Sequence, residues 1–218
     1  MPQPERVDTV SLRARIAALL RDTVPGRDPE FPYAAQFSSE QRDLLRTLLP
    51  QQPVRAAVLV PLVERPAGLH VLLTQRAAHL KHHAGQISFP GGRIEPADAG
   101  PWAAALREAQ EEIGLEARYV TRAGYLQDHL VISGFRVTPV VAFVQPGFEL
   151  CLDRTEVEDV FEVPLEFVLD TRNHLPRDRN LAGLTIVTHE IPYQGRQIWG
   201  ATASMLIAFA QLLQESAA

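Results

Sequence analysis

Residues 107–114 read REAQEEIG and place three glutamates, Glu108, Glu111 and Glu112, at the end of a predicted helix. Spacings of three and four residues put the three carboxylates on one face, where their side chains can converge on one point. Their mutual repulsion and the negative end of the helix dipole both oppose this arrangement. No lysine is interspersed to relieve it. The simpler interpretation is a solvated acidic face on a surface helix.

A bound divalent cation is the alternative interpretation, and it removes the repulsion. The stretch FPGG at residues 89–92 lies shortly before the helix, where a predicted strand runs into a turn. A backbone carbonyl of this turn, at Gly91, can face the same place as the carboxylates. Hard oxygen ligands of these two kinds are typical of a Mg²⁺ or Mn²⁺ site that is completed by water and substrate phosphate. We therefore favour the metal site over the solvated face.

The helix that carries the glutamates has clear start and stop signals. Pro101 suits its first turn, and Gly114 suits the left-handed position just after its end. Four apolar residues recur at helical spacing and predict the stripe that packs on the rest of the domain, away from the glutamates: Trp102, Leu106, Ala109 and Ile113.

The remaining elements predict an α+β domain, an α/β/α sandwich with a mixed sheet flanked by helices. Runs typical of strands occupy residues 54–63, 70–75, 86–89, 118–127, 135–144, 159–163, 183–193 and 196–199, and we expect mostly antiparallel pairing. Amphipathic patterns predict helices at 10–23, 38–49 and 201–215. We expect residues 1–50 to form a helical N-terminal extension that packs on a main domain at residues 51–218, because so short a segment rarely folds alone.

Composition excludes several functional classes. The chain has 218 residues, 46% hydrophobic and 22% charged, which is typical of a soluble globular protein. The net charge of -5 argues against nucleic acid as a partner. A single cysteine, Cys151, allows no internal disulfide, and we find no signal peptide and no apolar run long enough to span a membrane. We expect a cytoplasmic protein without a membrane partner, as a monomer or a homodimer.

The residues around the acidic helix resemble the Nudix box of diphosphate hydrolases, G-x5-E-x7-R-E-U-x-E-E-x-G-U, where U is a bulky aliphatic residue. The matching positions are Gly92, Arg107, Glu108, Glu111, Glu112, Gly114 and Leu115. The chain departs from the pattern in three places. Asp98 stands where the first glutamate is expected, one extra residue separates it from Arg107, and Ala109 is small for its position.

A longer motif resembles the signature of the coenzyme A pyrophosphatase subgroup, LLTxR[S/A]xxxRxxxGxxxFPGG. Residues 72–92 read LLTQRAAHLKHHAGQISFPGG and fit it except at Lys81, where arginine is usual. The stretches SGFRVTPVVAF and IWGATASML are also similar to this subgroup, so that the resemblance extends over roughly residues 54–215.

The resemblance implies a Nudix-type fold and hydrolysis of the diphosphate of coenzyme A or acyl-CoA. The products are 4′-phosphopantetheine, or its acyl form, and adenosine 3′,5′-bisphosphate. It also implies a set of site residues. The catalytic residues are Arg107, Glu108 and Glu111; the ligands of Mg²⁺ or Mn²⁺ are Glu108, Glu111, Glu112 and Gly91. A further acidic ligand is expected from Glu156 or Glu158, and the sequence does not choose between them.

Basic and polar residues just before and after FPGG predict the substrate site. Arg76, Lys81, His82, His83 and Arg93 concentrate positive or partly positive character in an otherwise acidic protein. Gln86 either holds the turn or contacts substrate. We therefore expect substrate binding by Arg76, Lys81, His83, Gln86 and Arg93.

Other functions remain open. A Nudix box alone is also compatible with hydrolysis of ADP-ribose, a dinucleoside polyphosphate or a nucleoside triphosphate. A non-catalytic Nudix ligand-sensing module is disfavoured because all three helical glutamates are present. An enzyme that processes RNA ends is disfavoured by the acidic charge.

Overall fold

The computed structural model describes residues 9–26, 36–48, 50–80, 83–131, 133–181 and 183–216. The helices of this part of the chain are α1 (Thr9–Leu20), α2 (Ser39–Leu48), α3 (Pro101–Ile113), α4 (Leu165–Leu169) and α5 (Gly200–Glu215). The strands are β1 (Val54–Arg65), β2 (Gly68–Arg76), β3 (Ile87–Ser88), β4 (Gly91–Arg93), β5 (Val120–Tyr125), β6 (His129–Val131), β7 (Phe135–Val144), β8 (Val157–Pro164), β9 (Leu175–Leu181), β10 (Leu184–Tyr193) and β11 (Arg196–Ile198).

Strands β1 to β8 form one mixed sheet within the described residues. At its centre β1 and β7 run parallel from the Val54–Phe135 pair to the Val63–Val144 pair. β2 and β4 are antiparallel to β1, while β5 and β6 are antiparallel to β7. β8 and β3 pair with β2. The expectation of mostly antiparallel pairing is therefore confirmed, and within the described residues β1 and β7 form the one parallel pair.

Alternating side chains divide the sheet between two apolar layers. Val60 and Leu62 of β1 point to one layer, which also contains α1, α4, α5 and the three-stranded sheet of β9, β10 and β11. Leu59 and Val63 point to the other layer, whose helix is α3. This is the two-residue period of a strand that is buried on both faces. The predicted α+β class, with a mixed sheet between helices, is confirmed.

The N-terminal helix is built into the first of these layers. Leu12, Ile16 and Leu20 of α1 are buried in the same cluster as the inner residues of α5. Gly124 of β5 lies so close that an added Cβ would overlap the carbonyl of Leu20. The hydroxyl of Thr23 donates to that carbonyl at 2.6 Å and accepts the backbone N–H of Tyr125 at 2.7 Å. The division into an extension and a main domain remains a prediction.

Sequence patterns did not indicate three strands, β4, β6 and β9. β4 reads GGR and β9 reads LPRDRNL, neither of which is rich in β-branched or aromatic residues. They are strands because a neighbour supplies the pairing: β4 lies along β1, and β9 forms a hairpin with β10.

None of the described helices has the length and apolar character required to cross a membrane.

We expect Thr23→Val to destabilise the protein by about 1–3 kcal/mol, because it leaves a buried backbone N–H of β5 without its acceptor. Thr23→Ser keeps the hydroxyl and is the matched control, for which we expect a loss below about 1 kcal/mol. The free energy of unfolding in urea measures both. Equal stability of the valine variant and the unchanged protein would show that this contact does not fasten α1 to the sheet.

Candidate active site

Helix α3 lies on one face of the sheet and ends where the acidic residues begin to crowd. Pro101 occupies its first turn, and Gly114 ends it in the left-handed conformation with φ 71°. Its small residues Ala104, Ala105 and Ala109 are fully buried and let the helix approach β1 and β4. The predicted stripe is thus only partly right. Trp102 and Leu106 are half-buried at its margin, while Ala104, Ala105 and Glu112 lie inside it.

The loop before β8 folds over the end of α3. Cys151 donates its backbone N–H to the carbonyl of Ile113 at 3.0 Å, and Asp153 donates to that of Glu112 at 2.9 Å. These bonds satisfy carbonyls that a helix leaves unpaired at its C-terminus. Any side chain at Gly114 would collide with Cys151, whose backbone nitrogen lies 2.8 Å from the Cβ position. The loop is therefore held against the acidic end of the helix.

Arg107 is the hub of the site, and it uses its five N–H donors on four residues. Nε and Nη2 donate to the two carboxylate oxygens of Asp98 at 3.2 and 3.0 Å. Nη1 donates to Glu108 at 2.9 Å and to Glu111 at 3.0 Å, and Nη2 also reaches the carbonyl of Arg93 at 3.0 Å. Asp98 therefore binds the arginine despite its short side chain and the extra residue between the two.

The ion pairs of Arg107 shift the pKa values of the groups that it contacts. The hydrogen bonds from Arg107 hold the pKa of Asp98 below its usual range, and those bonds raise the pKa of the guanidinium. Two of the three glutamates are thus relieved by Arg107, a cation within the same REAQEEIG stretch. The arginine ties the loop at residues 93–98 to the helix and orients the carboxylates of Glu108 and Glu111.

Two glycines bring the backbone of β4 against the other carboxylates. Gly91 donates its N–H to Oε2 of Glu112 at 3.1 Å, and a Cβ at Gly91 would overlap the backbone of β1. A Cβ at Gly92 would overlap the carboxylate of Glu108. Close packing against the backbone of β1 therefore requires a glycine at position 91, while a side chain at position 92 would displace the carboxylate of Glu108. The predicted metal ligand at Gly91 uses its N–H, and not its carbonyl, for the contact with the acidic residues.

Glu112 is the buried member of the three glutamates. Its side chain is 6% exposed, and Oε1 lies 3.8 Å from Nη1 of Arg76 at the end of β2. The pKa of Glu112 is raised to about 8, mainly by burial; the Gly91 N–H and Arg76 lower it, and the charges of Glu108 and Glu156 raise it. Burial also raises the pKa of Glu108, and the charges of Glu111 and Glu156 add to this effect while Arg107 opposes it.

Of the two acidic residues that the sequence left open as a further ligand, Glu156 is the one that lies beside the acidic residues of α3, and the choice of ligand remains a prediction. Its negative charge acts on both Glu108 and Glu112. Its carbonyl accepts the backbone N–H of Ala77 at 2.8 Å, so the residue sits beside the end of β2. Glu156 and Glu158 are both exposed; Glu158 is the second residue of β8 and accepts the guanidinium of Arg154 at its own carbonyl. We define the acidic cluster as Glu108, Glu111, Glu112 and Glu156.

The carboxylates of the acidic cluster do not converge on one point as their spacing suggested. Arg107 turns one oxygen each of Glu108 and Glu111 toward itself, while the Gly91 N–H and Arg76 hold Glu112. No three His, Cys, Asp or Glu side chains of the described ranges form an arrangement that could hold a metal ion. The donor set nevertheless suits a hard cation, since several carboxylates act on one another and Arg107 engages only one oxygen of Glu108 and of Glu111.

Three of the predicted substrate residues lie together, and Arg93 makes a different contact. Arg76 and Gln86 are joined by a backbone hydrogen bond of 2.9 Å, and His83 contacts the side chain of Gln86 at 2.8 Å. His83 has a left-handed φ of 58°, which is uncommon for a residue with a side chain. The guanidinium of Arg93 instead lies 5.7 Å from the ring centre of Phe135. Lys81 and His82 fall outside the described residues.

Comparison with known proteins supplies the family. The model of the NUDIX domain matches residues 53–183. The chain is 43% identical over 153 residues to proteins of Salmonella paratyphi B and Salmonella newport that are described as "Uncharacterized Nudix hydrolase NudL", covering 70% of this chain and 79% of each relative. The crystal structure of a MutT protein from Methanosarcina mazei Go1 superposes with a TM-score of 0.50 at 18% identity, covering 77% of this chain and 98% of that one. This last likeness concerns the fold.

Proposed function

Since the chain belongs to the NUDIX domain family and is a Nudix hydrolase, we propose that it hydrolyses the diphosphate of coenzyme A or acyl-CoA with Mg²⁺ or Mn²⁺. Enzymes of this family generally use divalent metal ions. The products are 4′-phosphopantetheine, or its acyl form, and adenosine 3′,5′-bisphosphate. The observation that carries the choice of substrate is that the segment resembling the coenzyme A signature borders the acidic cluster at two places.

Those two places are the start and the end of the segment at residues 72–92. Near its start, Arg76 lies 3.8 Å from Glu112. At its end, the N–H of Gly91 binds the other oxygen of the same carboxylate at 3.1 Å. Between them the backbone of Gly85 donates to the carbonyl of Arg76 at 3.1 Å and closes the loop that carries His83 and Gln86. Two residues of the longer motif, Arg76 and Gly91, thus approach one carboxylate of the Nudix box, that of Glu112.

The metal-binding residues in this proposal are Glu108, Glu111, Glu112 and Glu156. Bound Mg²⁺ or Mn²⁺ supplies a Lewis acid that neutralises the diphosphate and lowers the pKa of water. Carboxylate oxygens are the ligands that these cations prefer. Arg107 positions Glu108 and Glu111 by hydrogen bonds of 2.9 and 3.0 Å. The carbonyl of Gly91 completes the set of metal ligands in this proposal.

The remaining chemistry falls to side chains at the rim of the acidic cluster. Arg76 has a buried Nε with no hydrogen-bond acceptor among the described residues, and its guanidinium suits an anionic phosphate oxygen. The oxygen of water attacks one phosphorus, the bond from that phosphorus to the bridging oxygen breaks, and a carboxylate of the cluster takes the proton of the water. We assign His83 and Gln86 to substrate contact, along with Lys81 and Arg93.

A cytoplasmic location, predicted from the single cysteine, remains part of the same proposal.

We expect the purified protein to convert coenzyme A to 4′-phosphopantetheine and adenosine 3′,5′-bisphosphate when Mg²⁺ or Mn²⁺ is added, and to be inactive in excess EDTA. Mass spectrometry of the products identifies which bond is cleaved. The comparison panel contains ADP-ribose, a dinucleoside polyphosphate and a nucleoside triphosphate at the same concentration. A higher kcat/KM for any of these than for coenzyme A and acetyl-CoA would overturn the choice of substrate. Full activity in EDTA would contradict the role of the metal.

We expect Glu156→Gln to lower kcat/KM for coenzyme A by about 10²-fold, because it removes a charge that acts on the reacting site. Glu158→Gln is the matched control. It removes the same charge at a position two residues further along the chain, and its side chain lies outside the acidic cluster. We expect its kcat/KM to stay within about 2-fold of the unchanged enzyme. Steady-state kinetics of the two variants at saturating Mn²⁺ makes the comparison, and the reverse order of effects would exclude Glu156 from the site.

A further inference from the structure

The loop at residues 151–156 brings Glu156 to the acidic end of α3, and its two ends are held by different parts of the chain. Near its start, Asp153 donates its backbone N–H to the carbonyl of Glu112 at 2.9 Å. At its end, the carbonyl of Glu156 accepts the backbone N–H of Ala77, in the turn after β2, at 2.8 Å. Backbone groups are the same at every residue, so side chains must select the loop conformation that places Glu156 here.

Asp153 is the side chain that closes this loop. Its Oδ1 accepts the backbone N–H of Thr155 at 2.8 Å and the hydroxyl of the same residue at 2.7 Å. Aspartate commonly stabilises a turn in this way, by bonding to the backbone two residues on. The backbone carbonyl of Asp153 accepts the N–H groups of Glu156 at 3.0 Å and of Val157 at 2.8 Å. One residue thus connects the last turn of α3, through Glu112, to the backbone of Glu156.

His79 holds the same loop from the side of the turn after β2. Its Nε2 lies 3.1 Å from the carbonyl oxygen of Thr155, and because a carbonyl oxygen only accepts, this nitrogen carries the proton. Ala77, two residues earlier, gives the neighbouring bond to Glu156. His79 lies within residues 72–92, at a position where the coenzyme A signature leaves the residue type open. This segment therefore contacts the loop of Glu156 through a side chain to which neither motif gives a role.

We propose that Asp153 and His79 are positioning residues that hold Glu156 as a ligand of the divalent cation at the acidic end of α3. Asp153 acts on the backbone on either side of the loop, and His79 acts through Thr155. The inference rests on the proposed function, in which Glu156 is one of the metal-binding residues. Loss of either side chain frees the loop and weakens binding of the cation, while Arg107 still holds Glu108 and Glu111 on the helix.

Titration with Mn²⁺, followed by the electron paramagnetic resonance signal of the free ion, tests the inference without substrate. Asp153→Ala removes the acceptor of both bonds from Thr155, and we expect it to raise the Kd of Mn²⁺ about 10-fold. Asp153→Asn keeps an acceptor oxygen but removes the charge, and its Kd should stay within about 3-fold of the unchanged protein. Equal weakening by the two substitutions would mean that the charge of Asp153 acts on the cation, and would overturn its role as a positioning residue.

A double-mutant cycle separates the positioning of Glu156 from a general loss of structure. In a Glu156→Gln background the loop no longer carries this carboxylate, so Asp153→Ala should change the Kd of Mn²⁺ by less than about 2-fold. A further 10-fold loss in that background would show that Asp153 acts independently of Glu156, and would overturn the proposal.

Asp170→Ala is the control for the loss of the same local contact. Oδ1 of Asp170 also accepts the backbone N–H of the residue two places on, Arg172, at 3.0 Å, but Asp170 lies outside the acidic cluster and its loop. We expect this substitution to leave the Kd of Mn²⁺ unchanged. Equal weakening by Asp170→Ala and Asp153→Ala would overturn the proposal.

The histidine is tested by a pair of variants that differ in their hydrogen-bond donor. His79→Phe removes the donor to Thr155, and we expect the Kd of Mn²⁺ to rise about 5-fold. His79→Gln keeps a side-chain N–H donor and should restore most of the affinity. Equal Kd values for the two variants would overturn the role of His79.

Hydrolysis of coenzyme A distinguishes the failure of this inference from the failure of the proposed function. Asp153→Ala should lower kcat/KM for coenzyme A about 10-fold at limiting Mn²⁺ and less at saturating Mn²⁺, because excess metal restores the occupancy of the site. Weakened Mn²⁺ binding in Asp153→Ala, with no hydrolysis of coenzyme A by the unchanged protein, would support the positioning residues and refute the proposed substrate. Hydrolysis of coenzyme A with unchanged Mn²⁺ binding in Asp153→Ala and His79→Phe would refute the positioning residues and leave the proposed function standing.

Discussion

The five hydrogen bonds from the guanidinium of Arg107 are the interaction on which the rest of the site depends. They join the loop at residues 93–98 to α3 and fix one oxygen each of Glu108 and Glu111. Lysine has no planar fork of five donors and therefore cannot make the same set of bonds. Once this loop is anchored, β4 lies along β1 and its glycines bring the backbone against Glu108 and Glu112. The geometry of the acidic residues thus depends on the side chain of Arg107 and on the two glycines of β4, Gly91 and Gly92.

The cost of this geometry to folding is concentrated at Glu112. Its carboxylate is nearly buried, its closest cation is 3.8 Å away, and two other carboxylates act on it. A buried charge without a close partner opposes folding. The large apolar layers on the two faces of the sheet stabilise the fold and offset this cost. Such a local conflict between stability and charge is expected where a protein binds a ligand.

The sequence predicted most of the fold because its elements follow simple periods. β7 coincides with the predicted residues 135–144, and α5 begins one residue before the predicted 201 and ends at the predicted 215. The strands without a local signal, β4, β6 and β9, were missed since pairing partners define them. At the site, spacing placed the three glutamates on one face of the helix, yet it could not predict the burial of Glu112 or choose between Glu156 and Glu158, because both depend on chain segments far apart in sequence.

The central claim is that the acidic end of α3 is a metal site that opposes folding. Thermal unfolding tests it most directly, with the unchanged protein and Glu112→Gln each measured in EDTA and in saturating Mn²⁺. At pH 9, above the pKa of about 8 that burial gives Glu112, the glutamine keeps the shape and an acceptor for the Gly91 N–H but removes the buried charge. In EDTA the variant should be more stable than the unchanged protein by roughly 0.3–1 kcal/mol, the range expected for an unfavourable charge at a helix terminus. Mn²⁺ should raise the unfolding temperature of the unchanged protein and much less that of the variant. An equal rise in both proteins, or a rise in neither, would contradict the assignment of the metal to these carboxylates.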